Sequence, residues 1–161
     1  MKKLAIIVFL VLVQVLGLAQ EVRVYRGRST YSSDVVCTVS GDRVYRGRST
    51  YQSDVICNVR GDRIYYGVST YLSDVIFTVR QGKVYDGNSS YQSDIIMRLD
   101  CGCVYGGNST YRSDILLNRN GRRVYRGLSS YPSDVIFSMD GDLSETKFVA
   151  VLYVMLLYRL L

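Results

Sequence analysis

A block of 20 residues is repeated six times between Val22 and Met139, and this repetition constrains the fold more than any other feature of the chain. The unit reads [VI]-Y-x-G-x-S-[ST]-Y-x-S-D, followed by two aliphatic residues. The spacing of 20 residues holds through all copies without an insertion. Such regularity is typical of supersecondary units that bury their apolar faces only against their neighbours.

Each copy contains the pattern of two β-strands. In the first copy, positions 35, 37 and 39 are apolar, whereas position 38 is polar in every copy. This alternation predicts a strand whose one buried face is formed by positions 35, 37 and 39. The second strand is the short segment around Val44 and Tyr45. Two-residue turns favour antiparallel hairpins, and we expect them at Gly41-Asp42, Gly61-Asp62, Gln81-Gly82, Cys101-Gly102 and Asn120-Gly121.

The polar connection from Gly47 to Asp54 joins one hairpin to the next. Its glycine recurs in every copy, which predicts a positive φ or a bulge at that point. The adjacent Ser53-Asp54 pair also recurs. Such pairs are candidates for acid–base carboxylates or a sixfold Ca²⁺ ring, but their presence in all copies favours a structural role at the start of each strand.

The two ends of the array each carry half a hairpin. The repeats begin with a lone second strand, Val22 to Gly27, and finish with a lone first strand, Asp134 to Met139. If these two strands pair, the sheet closes into a shallow antiparallel barrel of about twelve short strands without exposed edges. The alternative is a linear β-solenoid, which requires atypical capping repeats at both ends. The first and last copies match the others, so we expect the all-β barrel.

An apolar segment at residues 143–161 is a candidate plug for this barrel. Twelve strands enclose a channel about 12 Å wide, which accommodates one α-helix. The run from Phe148 to Tyr158 is apolar on every face, as in helices buried all round or within a membrane. As a helix to Leu161 it is about 21 Å long, shorter than the ~30 Å hydrocarbon core of a bilayer. We expect a plug; membrane insertion and a partner interface are the alternatives.

The ends of this helix are also predicted. Asp142 or Ser144 is a plausible N-cap, with Glu145 completing a capping box from Asp142. Arg159 is expected at the mouth of the barrel, where its charge reaches water.

Residues 1–19 have the layout of a secretory signal peptide. Lys2-Lys3 precede an apolar run from Leu4 to Leu18, and small residues before Gln20 predict cleavage after Ala19. An uncleaved membrane anchor is the alternative. The sequence therefore predicts export to the periplasm or the extracellular space. Removing Lys2 and Lys3 lowers the formal net charge from +6 to +4, and the arginines are scattered, so no nucleic-acid footprint is indicated.

The composition limits the available chemistry. The chain contains no His and no Trp, which excludes Ser-His-Asp, Cys-His and His-metal sites. Cys37 and Cys57 occupy equivalent positions roughly 10 Å apart in neighbouring hairpins, too far for a disulfide, and we expect free thiols. A metal at Cys101-Gly-Cys103 lacks two further ligands. The repeated tyrosines suggest packing, with stacking on a sugar or a flat ligand as the alternative. We predict no catalytic, cofactor-binding or metal-binding residues.

The V-Y-x-G-x-S-T-Y-x-S-D repeats resemble the β-flower proteins, a bacterial group of symmetric, shallow β-barrels with variable numbers of petals. The resemblance covers residues 22 to about 142. Twelve strands around a hydrophobic helix are also similar in architecture to the tubby and phospholipid-scramblase barrels. Neither likeness implies functional residues, because one fold hosts many functions.

Three segments and one leading function follow from the sequence. We expect a signal peptide at 1–19, a six-petal barrel at 20–142 and a hydrophobic helix at 143–161. The leading hypothesis is an exported, non-enzymatic structural or interaction domain without a cofactor. The alternative is a lipid- or membrane-associated barrel whose C-terminal helix engages the bilayer.

Overall fold

The computed structural model describes residues 20–161, so the predicted signal peptide lies outside the described residues. Twelve antiparallel strands follow one another around a closed barrel, and β1 pairs with β12 to complete it. The closed ring predicted from the half-hairpins at the two ends is confirmed. The strands are β1 Val22–Arg26, β2 Val35–Ser40, β3 Arg43–Arg46, β4 Val55–Arg60, β5 Arg63–Tyr66, β6 Val75–Arg80, β7 Lys83–Asp86, β8 Ile95–Asp100, β9 Cys103–Gly106, β10 Ile115–Asn120, β11 Arg123–Arg126 and β12 Val135–Met139.

The barrel has two different mouths. At the turn mouth lie the two-residue turns, and at the loop mouth lie the six loops that follow residues 26, 46, 66, 86, 106 and 126. Gly47 in one such loop has a φ of 55°, and its five equivalents are also positive, as predicted. The turn expected at Asn120-Gly121 is wrong by one residue. Asn120 ends β10 and pairs with Arg123, so the turn is Gly121-Arg122, which keeps the 20-residue period.

A bulge changes which residues of each first strand face inward. Val24 lies opposite Cys37, but Tyr25 lies opposite Val35, so Val36 is an extra residue in β2. The same shift recurs in the other petals. The prediction that position 35 shares a face with positions 37 and 39 is therefore wrong. An extra residue reverses the alternation, and a period-two pattern in sequence does not reveal where it occurs.

Within residues 20–161, one α-helix, α1 (Glu145–Leu157), runs inside the barrel from the turn mouth to the loop mouth. Its residues Phe148 to Leu152, together with Val154 and Met155, are buried in one cluster with the inward-facing strand residues. The prediction that the C-terminal helix plugs the barrel is therefore confirmed. Arg159 lies beyond the helix end and is exposed.

The start of α1 differs from the prediction. Ser144 occupies the N-cap position without a side-chain cap hydrogen bond. Glu145 does not form the expected box with Asp142, because its Oε1 accepts a hydrogen bond from the backbone N–H of Gly82 at 3.1 Å. The Asp142 carboxylate instead lies 3.8 Å from both Arg119 and Arg122. The helix is thus attached at its start to the turns of the barrel.

The helix is not centred in the barrel. It lies mainly against β2, β4, β5 and β6, where Cys37 and Cys57 present small side chains with no exposed surface. All four cysteines are free, and burial raises the pKa of the Cys57 thiol to about 12. The close approach on this side leaves space between the helix and the opposite wall.

Candidate binding site at the loop mouth

The recurring serines and aspartates of the petals bond to each other within their own loops. Ser89 Oγ donates a hydrogen bond to Asp94 Oδ2 at 2.5 Å and accepts one from the backbone N–H of Tyr91 at 3.1 Å. Equivalent bonds occur in the other five petals. Hydrogen bonds from Ser89 and then Ser93 lower the pKa of Asp94. The principal partner is the serine five residues earlier, not the adjacent one, and the bond holds the loop together.

Buried polar side chains that the sequence pattern did not reveal anchor several of these loops. Thr38 Oγ1 donates to the carbonyl of Gly47 at 2.7 Å. Asn58 Nδ2 donates to the carbonyls of Gly67 and Ser69 at 2.8 Å and 2.9 Å. Position 38 had suggested the exposed face of a strand, but both side chains are buried. In the sequence, a sign of this role is that five of the six copies have Thr, Asn or Ser at this position.

The two sets of tyrosines have different surroundings. Those of the second strands are half-buried or buried, as packing predicts; Tyr45 is 7% exposed. The six in the petal loops are exposed, from 71% for Tyr131 to 76% for Tyr51. The packing interpretation therefore fails for the loop tyrosines, which lie one per petal.

The last residues of the six second strands differ strongly among the petals. We define the mouth ring as the last residues of the second strands: Arg26, Arg46, Tyr66, Asp86, Gly106 and Arg126. Each lies opposite an inward-facing core residue, as Arg126 does opposite Leu117 and Arg46 opposite Cys37. Directly opposed residues of antiparallel strands point to the same face, so the ring faces inward. It is the variable position between the repeated Tyr and Gly, so a motif defined by shared residues does not include it.

Charge is unevenly distributed around the mouth ring. Arg126, Arg26 and Arg46 lie on β11, β1 and β3, which belong to successive petals. Asp86, on β7, lies across the ring from Arg26. Among residues 20–161, these three arginines form no ion pair, and the five ion pairs present lie at the turn mouth. One arc of the loop mouth therefore carries three arginines that form no ion pair with another described residue.

An apolar cavity opens beside this arc, between α1 and the wall that it does not touch closely. This mouth cavity has a volume of about 280 Å³. Gly106 adds no side chain at this part of the ring, and a Cβ there would lie 3.7 Å from Leu116 Cδ1. The lining residues are Met97, Val104, Leu116, Leu117, Arg126, Ile136, Leu152, Leu156 and Leu161.

A smaller cavity of about 210 Å³ lies at the turn mouth beside Cys101 and Cys103. The Arg119 guanidinium stacks 5.2 Å from the centre of the Phe148 ring, which lines the same cavity. Within residues 20–161, no three side chains of His, Cys, Asp or Glu are grouped to hold a metal ion. A hydrogen bond with the Asp100 carboxylate raises the pKa of the Cys101 thiol.

The family model described as 6-fold beta flower protein matches residues 24–152. The chain belongs to this family. The match to the β-flower model includes all the strands except the start of β1, and it extends into α1. No curated protein and no solved structure matches the chain.

Proposed function

We propose that this β-flower is an exported, non-enzymatic domain that acts by binding a partner or ligand at its loop mouth. The signal-peptide layout of residues 1–19 supports export. The mouth ring supports binding, because its inward-facing residues differ in charge and size and place three arginines on one arc.

The bonding within the petals supports a non-enzymatic role. An acid–base pair must present a carboxylate to a substrate, but the Asp94 Oδ2 atom and its five equivalents are engaged by a serine of the same loop. Because the same bond forms in all six loops, its contribution to loop structure is sufficient to explain why each petal has this Ser and this Asp. The proposed interaction therefore depends on the mouth ring and the helix end, not on the repeated residues.

A lipid- or membrane-associated role is a second candidate. Leu156 and Leu157 at the end of α1 are 48% and 52% exposed, and Tyr158 beside them is 37% exposed. The space around Tyr158 is also lined by Arg26 and Arg46. Apolar groups next to cationic groups suit the surface of an anionic bilayer. In the described part of the chain, no helix has the length and apolar character needed to cross a membrane.

Export is tested by fractionating cells that express the full chain and determining the mass of the protein recovered. We expect recovery outside the cytoplasm and a mature N-terminus at Gln20. A protein that remains in the cytoplasm with residues 1–19 attached would contradict the export proposal.

The two candidate roles are separated by truncation of the helix. Removing residues 143–161 takes away the buried residues from Phe148 to Met155, so we expect unfolding or aggregation. A matched variant that lacks only residues 159–161 keeps α1 and should stay folded. If the longer truncation instead yields a folded protein that is merely released from membranes, the bilayer role is correct and the helix is not a structural plug.

A further inference from the structure

The mouth cavity combines an apolar interior with one cationic side chain at its edge. Leu117 and Leu152 in its lining are 5% and 1% exposed, whereas Leu116 and Leu156 are 54% and 48% exposed. The exposed pair belongs to the same lining as the buried pair, so the apolar surface continues from the core to the mouth. Small-molecule sites have this composition, with apolar walls and a few polar groups that fix orientation.

The volume of the cavity sets the size of an occupant. A cavity of about 150 Å³ lined by apolar side chains holds a benzene molecule with its six carbon atoms. By proportion, the 280 Å³ of the mouth cavity holds roughly ten carbon atoms. The position of α1 against β2, β4, β5 and β6 is the reason that this space remains.

Arg126 sets the charge of the occupant. Its side chain lines the cavity and is exposed, and among residues 20–161 it forms no ion pair. It lies opposite Leu117 on the inner face of the barrel, which places an apolar wall and a guanidinium on neighbouring strands. A guanidinium binds a carboxylate through two parallel hydrogen bonds.

We infer that the mouth cavity binds a single-chain carboxylate amphiphile, whose alkyl tail of about ten carbons lies along α1 and whose carboxylate pairs with Arg126. This assignment names a ligand class for the proposed binding role. It rests on the proposed function in one respect, the location of the interaction at the loop mouth. The tail covers Leu116 and Leu156, and the carboxylate supplies the counterion that Arg126 lacks within the described residues.

The first test is calorimetric titration of the purified full-length chain with hexanoate, octanoate, decanoate and dodecanoate, each below its critical micelle concentration. Each buried methylene strengthens binding about fourfold. We expect one saturable site per chain, affinity that rises about fourfold per methylene up to decanoate, and little further gain beyond it. An absence of saturable binding, or affinity that does not depend on chain length, would overturn the inference.

Substitutions in the mouth ring locate the site. Gly106→Leu fills the cavity without backbone strain, since Gly106 has an ordinary φ and a Cβ at this position would make normal contacts. We expect decanoate binding at least tenfold weaker. Arg43→Leu is the control, because it places the same side chain at an exposed position of the turn mouth, away from the ring and the cavity, and it should leave binding unchanged. Equal losses in both variants would refute the assignment to this cavity.

The headgroup is tested with Arg126→Gln. Loss of one charge-assisted contact weakens decanoate about tenfold, whereas the affinity for uncharged decanol should not change. Arg123→Gln, an exposed position at the turn-mouth end of the same strand, is the control and should leave both affinities unchanged. If Arg126→Gln weakens decanol as strongly as decanoate, the arginine is not the carboxylate partner.

Vesicle flotation separates this inference from the membrane-associated role. With vesicles of phosphatidylcholine and phosphatidylglycerol, a chain that uses a cavity for free amphiphiles should not float, and decanoate should still bind. Flotation together with no decanoate binding would overturn the cavity assignment and support the bilayer role. Export is measured by a separate experiment. A chain that does not bind decanoate would therefore contradict the ligand assignment without contradicting export.

Discussion

At the scale of the residue, the petals share a small set of polar contacts that hold each loop against the barrel. Asn58 shows this clearly, since one buried amide serves two backbone carbonyls of the next loop, those of Gly67 and Ser69. A partly buried carbonyl that loses its donor gives up a hydrogen bond that water replaces only incompletely. These contacts position the loops and, with them, the residues of the mouth ring.

Asn58→Ala is expected to lower the free energy of unfolding by about 1–3 kcal/mol, because it leaves two partly buried carbonyls without this donor. The measurement is urea denaturation followed by circular dichroism. Arg98→Ala is the matched control at the equivalent position of the fourth petal, where no side-chain hydrogen bond is made in the described structure, and a change within about 0.5 kcal/mol is expected. Equal effects of the two substitutions would mean that the loop contacts of Asn58 contribute nothing to stability.

Individual residues were harder to predict than the pattern that they form. The repeated glycines at positions 27 to 127 indicated positive φ because no other residue adopts it so readily. The inward-facing ring of Arg26, Gly106 and their equivalents could not be predicted, because the repeat motif is defined by the residues that its copies share and these positions differ. Its direction also depends on the bulge at Val36, and a single extra residue leaves no trace in apolar alternation.

At the scale of the element, α1 is the part of the chain that breaks the sixfold symmetry. Its first turn is attached at the turn mouth, where Glu145 accepts a hydrogen bond from Gly82 and Lys147 lies 3.3 Å from Asp42. Its middle is buried, and the ring of Tyr153 meets that of Phe77 edge to face at 5.9 Å. Its last residues are exposed at the loop mouth. A helix bound in this way makes one half of the barrel different from the other.

Leu152→Ala should lower the free energy of unfolding by about 2–5 kcal/mol, as expected for a buried leucine, since Leu152 is 1% exposed. Leu156→Ala removes the same atoms one turn later, where the side chain is 48% exposed, and should change stability by about 0.5 kcal/mol or less. Urea denaturation of both variants measures the difference. A Leu156→Ala variant as unstable as Leu152→Ala would show that the helix does not lie in the barrel as described.

The plug could be predicted because an all-round apolar segment needs complete burial and the ring offered a channel of the right width. Its displacement toward β4 could not be predicted from the pattern. It depends on the sizes of many side chains packed together, with Cys37 and Cys57 on one wall and Met97 and Leu117 on the other. The mouth cavity is a consequence of this displacement, so it too was invisible in the sequence.

At the scale of the whole molecule, the number of petals and the presence of the helix depend on each other. Six hairpins give twelve strands and a backbone diameter of about 22 Å, which leaves room for one helix. Ten strands give about 19 Å and an interior of about 9 Å, narrower than a helix with its side chains. The interior of a six-petal barrel is thus wide enough for one helix, whereas that of a five-petal barrel is not.

Deleting residues 75–94 removes one complete petal and joins Asp74 to Ile95. We expect this variant to expose its helix, which is measured as strong binding of a hydrophobic dye and rapid proteolysis after residue 142. The control replaces residues 75–94 with a second copy of residues 55–74, so that the petal number stays at six, and it should remain folded. A compact, protease-resistant five-petal protein would contradict the dependence of petal number on the helix.

The pairing of β1 with β12 has a consequence for the order in which the chain is made. Tyr25 and Asp140, which meet where the ring closes, are 115 residues apart in sequence, and closing so long a loop is entropically costly and slow. A chain that emerges from its N-terminus presents five hairpins with open edges before the sixth exists, and the segment that fills the interior arrives last. Open edges and an unfilled apolar face promote association between chains. During synthesis, the molecule is therefore most exposed to association between chains before its final residues have appeared.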